Sequence, residues 1–257
     1  IVPAGTTGES PTLSHDEHKK VIQISVKECN GKIPVIAGTG SNSTEEAVEL
    51  SKHAEKSGSD ALLIVTPYYN KPTQEGLYQH YKKINDSVGI PIIIYNIPSR
   101  SVIDMSVETM SKLFELKNII GVKDATGDLK RVDQQLKSMG KEFLQLTGED
   151  NNALEFNKRG GKGCISVTAN IAAQLCSEFQ KSSLSVNDSI LQSRAKEIND
   201  LLTPLHKALF IESNPSPVKY AASLLKLSPD TVRLPLVTVR ESTKTSIKNA
   251  LKVAKLL

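Results

Sequence analysis

The segment Ile119-Ile120-Gly121-Val122-Lys123-Asp124-Ala125-Thr126 carries the chain's clearest architectural signal. Its apolar, β-branched run has no polar alternation and closes at the turn signal Gly127-Asp128, the pattern of a buried strand. A lysine stands near the carboxyl end of the run, and lysine is almost never fully buried without a partner. Two readings are open at this point: an ion pair with a carboxylate such as Asp124, or an amine nucleophile.

Outward from this strand the same pattern repeats. Strand-like runs are expected at about 1–5, 34–40, 61–69, 91–98, 119–126, 143–148 and 163–168. Ser14-His15-Asp16-Glu17 predicts a capping box, opening a helix with Val21, Ile22, Ser25, Val26 and Cys29 on one side. Ser43-Thr44-Glu45-Glu46 opens the next in the same way, with Ala47, Leu50 and Ala54 on one face. Leu77, Tyr81, Ile84 and Val88 recur at helical spacing in a third, and further helices are expected over 106–116, 128–139, 151–159 and 170–184. Continuous apolar strands, each followed by a helix, imply a parallel sheet covered by helices. Counting seven β/α units in a chain that begins inside a strand predicts an α/β fold, a (β/α)8 barrel whose first β/α unit is missing from this chain. A doubly wound open sheet is the competitor. Beyond residue 186 the strand pattern stops, and 188–210, 218–225 and 243–257 read as helices. The expected domains are therefore the barrel, 1–186, and a C-terminal helical appendage, 187–257.

Composition excludes several classes of function. The 257 residues carry a net charge of +4 with acidic and basic residues interspersed, and no basic stripe with interleaved aromatics, so no nucleic-acid partner is expected. No apolar run approaches the roughly 20 residues that span a bilayer, so no membrane partner is expected either. Cys29, Cys164 and Cys176 lack CxxC spacing and read as free thiols of a reducing, cytoplasmic compartment.

Active sites of parallel barrels lie at the carboxyl ends of the strands. Those ends read Gly5-Thr6-Thr7-Gly8-Glu9, Thr66-Pro67-Tyr68-Tyr69-Asn70, Tyr95-Asn96-Ile97-Pro98-Ser99-Arg100, Lys123, and Gly148-Glu149-Asp150. Each has a plainer reading: a tight turn in which glycine supplies a positive φ, packing aromatics, a surface ion pair. His15 and His18, three apart, have the spacing of one helix face and of metal ligands, but lack the His-Glu-x-x-His arrangement, which favours a solvated or capping role. Taken together, the residues suit one chemistry. A desolvated amine attacks a ketone to form a Schiff base, threonines on a glycine turn offer donors to a carboxylate, and a phenol in reach carries the proton. No metal cluster or cofactor fingerprint is present in the sequence, so no cofactor is expected. The composite is a metal-independent lyase acting on a 2-oxo acid.

The stretches Gly5-Thr6-Thr7-Gly8-Glu9-Ser10, Tyr68-Tyr69-Asn70-Lys71-Pro72, Tyr95-Asn96-Ile97-Pro98-Ser99-Arg100 and Gly121-Val122-Lys123-Asp124-Ala125-Thr126 resemble those of the dihydrodipicolinate synthase family, pyruvate-dependent Schiff-base lyases with a TIM-barrel fold. The resemblance extends through Gly161-Lys162-Gly163-Cys164-Ile165-Ser166 to Asn214-Pro215-Ser216-Pro217-Val218-Lys219. It implies that Lys123 forms the Schiff base with pyruvate, whose enamine attacks the aldehyde of aspartate semialdehyde. Tyr95, Thr6 and Tyr69 match the proton relay, Tyr69 reaching in from a neighbouring subunit of a homotetramer built as a dimer of dimers. Thr7 matches the residue that holds the pyruvate carboxylate, and Arg100 the one that binds the carboxylate of aspartate semialdehyde. Gly148 and Ile165 match backbone groups of the pyruvate pocket. A second site, for feedback inhibition by L-lysine, maps onto Ser10, Pro11, His15, His18, Asn42, Glu46 and Tyr68, with most weight on His18 and Glu46. The rival within the superfamily is an N-acetylneuraminate lyase or a 2-keto-3-deoxy-sugar aldolase; Arg100 and the Tyr68-Tyr69 pair favour a second substrate bearing a carboxylate. The rival outside it is a non-catalytic barrel that senses a ligand, for which a desolvated amine has no use.

Overall fold

The structure, a computed structural model, describes residues 1–257. The chain forms two compact units, Ile1–Thr147 with Arg159–Gly161, and Gly148–Lys158 with Lys162–Leu257.

In the first unit, strands and helices alternate: α1 (His15–Cys29), β1 (Ile36–Gly38), α2 (Thr44–Lys56), β2 (Ala61–Val65), α3 (Gln74–Asn85), β3 (Ile92–Asn96), α4 (Pro98–Ser101), α5 (Val107–Phe114), β4 (Ile119–Asp124), α6 (Lys130–Met139) and β5 (Leu144–Thr147). The five strands are all parallel and lie side by side in chain order. A doubly wound sheet reverses its strand order at a switch point; this one never does, which removes that alternative. Alternation along the strands sends Ala37, Leu62, Ile64, Ile92, Ile94 and Val122 into one core with Ile22, Ala47, Leu77, Tyr81, Met110 and Leu113 of the helices. The buried Tyr81 hydroxyl is satisfied there, donating to the Ile64 carbonyl at 2.7 Å.

Two expected strands are not formed. Residues 1–5 make turns, although the carbonyls of Ile1 and Pro3 accept from the amides of Ile36 (2.8 Å) and Gly38 (2.9 Å), so the segment runs beside β1. In 163–168 only Cys164 makes an isolated bridge, and Thr168–Asn170 turns into a 3-10 helix. The reason is local. The buried carboxylate of Asp150 takes the amides of Val167 (2.9 Å) and Thr168 (3.3 Å) together with the Ser166 hydroxyl, donors that a strand would give to a neighbour.

The capping box at Ser14 is complete: the Ser14 amide donates to Glu17 Oε2 (2.9 Å) and the Glu17 amide to Ser14 Oγ (3.2 Å). The one expected at Ser43 is half made. Ser43 Oγ accepts from the Glu46 amide, but the Glu46 carboxylate does not return the bond.

The second unit contains α7 (Ala153–Lys158), α8 (Ala173–Leu184), α9 (Ser189–Ala208), α10 (Ser216–Leu224) and α11 (Glu241–Val253). Phe179, Ile198, Leu202, Leu205, Val218, Ile247 and Leu251 form its own core, so the helices read from 187 onward share a core with α8. No helix in the chain is long and apolar enough to cross a membrane.

Candidate active site

The register of β3 against β4 places the central pair. Ile92 stands opposite Ile119, but Ile93 stands opposite Gly121, so the register steps by one residue and from there Tyr95 pairs with Lys123 and Asn96 with Asp124. Without the step, Tyr95 would face Val122, since a slip of one residue exchanges the two faces of a strand. On the other side of β4, Gly121 lets β5 approach: a Cβ there would lie 2.1 Å from the Leu144 carbonyl oxygen. Lys123 and Tyr95 are 9% and 6% exposed, and the amine lies 4.0 Å from the centroid of the Tyr95 ring.

Asp124 is not the partner of Lys123. Neighbouring residues of a strand point to opposite faces, and the Asp124 carboxylate lies among the groups of α6 and the strand's own end. It accepts from Arg131 Nε (3.0 Å), Thr126 Oγ1 (2.6 Å), the Thr126 amide (2.9 Å) and Gln135 Nε2 (3.3 Å). The ion pair weighed for Lys123 with Asp124 is therefore excluded. The aspartate belongs to Arg131.

Gly5-Thr6-Thr7-Gly8 folds as a tight turn, with the Gly8 amide donating to the Gly5 carbonyl (3.0 Å) and the Glu9 amide to that of Thr6 (3.1 Å). Its left-handed residues are Ala4 (φ 53) and Glu9 (φ 56), not the glycines, which corrects the role expected of them. Thr6 lies on the wall of a 410 Å³ cavity of the first unit that Arg100, on α4, also lines. Thr7 is half-buried in the turn and off that wall.

The same cavity is lined by Ser10, Pro11, His15, His18, Glu46 and Tyr68, six of the seven residues of the expected lysine site. The seventh, Asn42, is not on the wall but is joined to Tyr68: its carbonyl accepts from Asn70 Nδ2 (2.9 Å), and its backbone hydrogen-bonds the Tyr68 hydroxyl. Freed from capping, Glu46 takes His15 Nε2 at 2.6 Å on one oxygen and the Ser41 hydroxyl on the other. His18, one turn on, is buried. Burial pushes its pKa down, a bond to the Gly38 backbone partly opposes this, and its Nδ1 has no partner. The two histidines thus share a spacing but not a role. Burial and the Glu46 carboxylate raise the pKa of Tyr68.

Tyr69 stands apart from all of these. It is 86% exposed and holds φ at +73, a left-handed conformation unusual for an aromatic residue. Gly148 and Ile165 lie in the second unit, Gly148 directly after β5 and Ile165 just before the segment that Asp150 fixes. Sequence reasoning passed over Arg131 and Ser41. A buried arginine at the second residue of α6, three residues after Asp128, had only its nearness in sequence to the strand-end aspartate as a signal.

The Dihydrodipicolinate synthetase family profile matches residues 1–254. A 4-hydroxy-tetrahydrodipicolinate synthase of Pelagibacter ubique (strain HTCC1062) is 70% identical over 258 residues, covering 100% of this chain and 87% of the relative. Among solved structures, the chloride inhibited dihydrodipicolinate synthase from Acinetobacter baumannii complexed with pyruvate is 46% identical. Its TM-score is 0.96, over 100% of this chain and 87% of that one. The enzyme from Cyanidioschyzon merolae with lysine bound is 35% identical, with a TM-score of 0.95 over 100% and 86%.

Proposed function

The chain belongs to the dihydrodipicolinate synthetase family, and we propose that Lys123 is the amine on which its reaction turns. That reaction is the condensation of pyruvate with L-aspartate 4-semialdehyde to 4-hydroxy-tetrahydrodipicolinate, a lyase step of lysine and diaminopimelate biosynthesis. The solved relatives are (β/α)8 barrels with a C-terminal helical part, and the chain shares their α/β fold.

The observation that carries the reading is the buried Lys123 amine against the Tyr95 ring, with the neighbouring aspartate committed to Arg131. The Lys123 nitrogen adds to C2 of pyruvate, and loss of water leaves the imine. Removal of a C3 proton gives the enamine, whose C3 bonds to the aldehyde carbon of the second substrate. The amino group of that substrate then displaces Lys123 from C2, closing the ring and freeing the lysine. Tyr95 and Thr6 move the protons of imine formation and loss, with Tyr69 of a second copy as the third member. An aromatic ring standing out from the surface in a constrained conformation suits a residue that completes a neighbour's site, which needs a second copy beside it; the assembly proposed is a homotetramer of paired dimers. Thr7 holds the pyruvate carboxylate, Arg100 the carboxylate of aspartate semialdehyde through a bidentate contact, and Gly148 and Ile165 supply backbone groups. Ser10, Pro11, His15, His18, Asn42, Glu46 and Tyr68 form a site for inhibition by L-lysine, in which the ligand's ammonium group takes the place of His15 on Glu46. We place the enzyme in the cytoplasm.

Borohydride reduction in the presence of pyruvate tests the assignment. A pyruvate-dependent mass increase on the peptide bearing Lys123 is expected; a protein that turns over without such an adduct overturns it.

A further inference from the structure

Arg131 sits behind the reacting pair, on the face of the sheet that the helices cover. It is buried, and its guanidinium makes three directed contacts: Nε to Asp124 Oδ2 (3.0 Å), Nη1 to Asp104 Oδ2 (3.1 Å) and Nη2 to the Met105 carbonyl (2.7 Å). Asp104 does not end there. Its other oxygen accepts from Asn96 Nδ2 at 2.6 Å, and Asn96 Oδ1 takes the Met105 amide at 3.0 Å. One arginine thus ties the last residue of β4 to the last residue of β3, through a single aspartate and the segment that carries it.

These are the residues that follow the reacting pair. Asp124 comes directly after Lys123, Asn96 directly after Tyr95, and the two are themselves register partners. Because consecutive side chains point to opposite faces, clamping Asp124 and Asn96 on one face fixes the height and tilt at which Lys123 and Tyr95 emerge on the other. The register beneath is not uniform, since it steps by one residue between Ile92 and Ile93. A clamp beyond the step holds the register where the chemistry needs it. A planar fork with several donors suits such a junction; the single ammonium of a lysine has no comparable geometry.

We infer that Arg131 is a positioning residue for the Lys123–Tyr95 pair, acting through Asp124 and through Asp104 on Asn96. The inference rests on Lys123 being the Schiff-base amine.

The test uses the full chain with Arg131→Lys, which keeps the charge but loses the fork, and with Asp104→Asn, at a half-exposed position where folding is less at stake. The readout is the single-turnover rate constant for forming the borohydride-trappable pyruvate adduct, which does not depend on how many molecules are folded. Arg131→Lys is expected to lower that constant at least tenfold and Asp104→Asn about threefold, at saturating pyruvate. Rate constants equal to that of the unsubstituted protein in both variants overturn the inference while Lys123 is still labelled. If lost turnover follows only the fraction folded by circular dichroism, with an unchanged rate constant, Arg131 is merely structural and the inference also falls. Absence of label on Lys123 in the unsubstituted protein overturns the parent reading instead.

Discussion

Lys123 and Tyr95 are register partners on adjacent parallel strands, and the lysine amine lies 4.0 Å from the centre of the tyrosine ring. The contact puts a buried amine beside a phenol with no carboxylate between them. Substitution at either position is expected to affect chemistry before affinity. Lys123→Ala should abolish the pyruvate adduct. Tyr95→Phe should lower kcat by about 10²–10⁴-fold, the range of a single proton-transfer group, with KM for pyruvate changed far less. Steady-state kinetics with borohydride trapping measures both, and a Tyr95→Phe enzyme with ordinary kcat removes tyrosine from the relay.

Tyr69 offers a test of shared sites. Alone, Tyr69→Phe and Lys123→Ala should each be nearly inactive. Mixed by unfolding and refolding together, they should regain activity, because some assemblies then hold one site with both native residues. No recovery in a mixture shown by mass to be hetero-oligomeric would place Tyr69 outside its neighbour's site.

Glu46 already holds His15 and the Ser41 hydroxyl, so a bound ammonium group must compete for its carboxylate. A hydrogen bond to a charged group is worth roughly 1.5–3 kcal/mol. Glu46→Gln should therefore raise the L-lysine concentration for half-inhibition about tenfold or more in an inhibition titration. Unchanged inhibition would exclude Glu46 as the ammonium ligand.

Acid should destabilise the first unit through His80. The ring is buried between α2 and α3, Nδ1 shares a 2.9 Å hydrogen bond with Thr44 Oγ1, and burial lowers its pKa to about 4. An unfolded histidine titrates near 6.5, so between these values the unfolded chain binds more protons. The contribution is complete above about pH 6.5 and is lost as pH falls towards 4, up to roughly 3 kcal/mol. Burial also lowers His18 and His53 of the same unit, which adds in the same direction. Urea unfolding from pH 7.5 to 5 should show this slope, and His80→Gln should flatten it; an equal slope in the variant would assign it elsewhere.

Gly121→Ala places a methyl group 2.1 Å from the Leu144 carbonyl oxygen. Backbone must move, and a loss of at least about 3 kcal/mol is expected, measured by denaturant midpoint. A variant of native stability would show that β4 and β5 separate freely there.

Much of the first unit was legible in its residues. Apolar runs followed by helical spacing located all five strands, and Ser14 with Glu17 announced a cap that is formed. The rest depended on where individual polar groups found partners. Residues 163–168 have the composition of a strand, yet Asp150, remote in sequence, takes the donors a ladder would use. Ser43-Thr44-Glu45-Glu46 has the letters of a capping box, but Glu46 turns instead to His15 and Ser41.

The chemistry available is written in the residues: an amine in an apolar strand, a phenol at the end of another, threonines on a turn, and the motif spacing shared with one family. So is the parallel sheet, because apolar strands alternating with amphipathic helices bury their surface that way. That Lys123, not Val122, stands beside Tyr95 follows from the folded pairing alone. It depends on a one-residue step in pairing, and hydrophobic periodicity does not reveal such a step when a strand is apolar on both faces. Alternation along β4 puts Asp124 on the opposite face from Lys123, where Arg131 holds it.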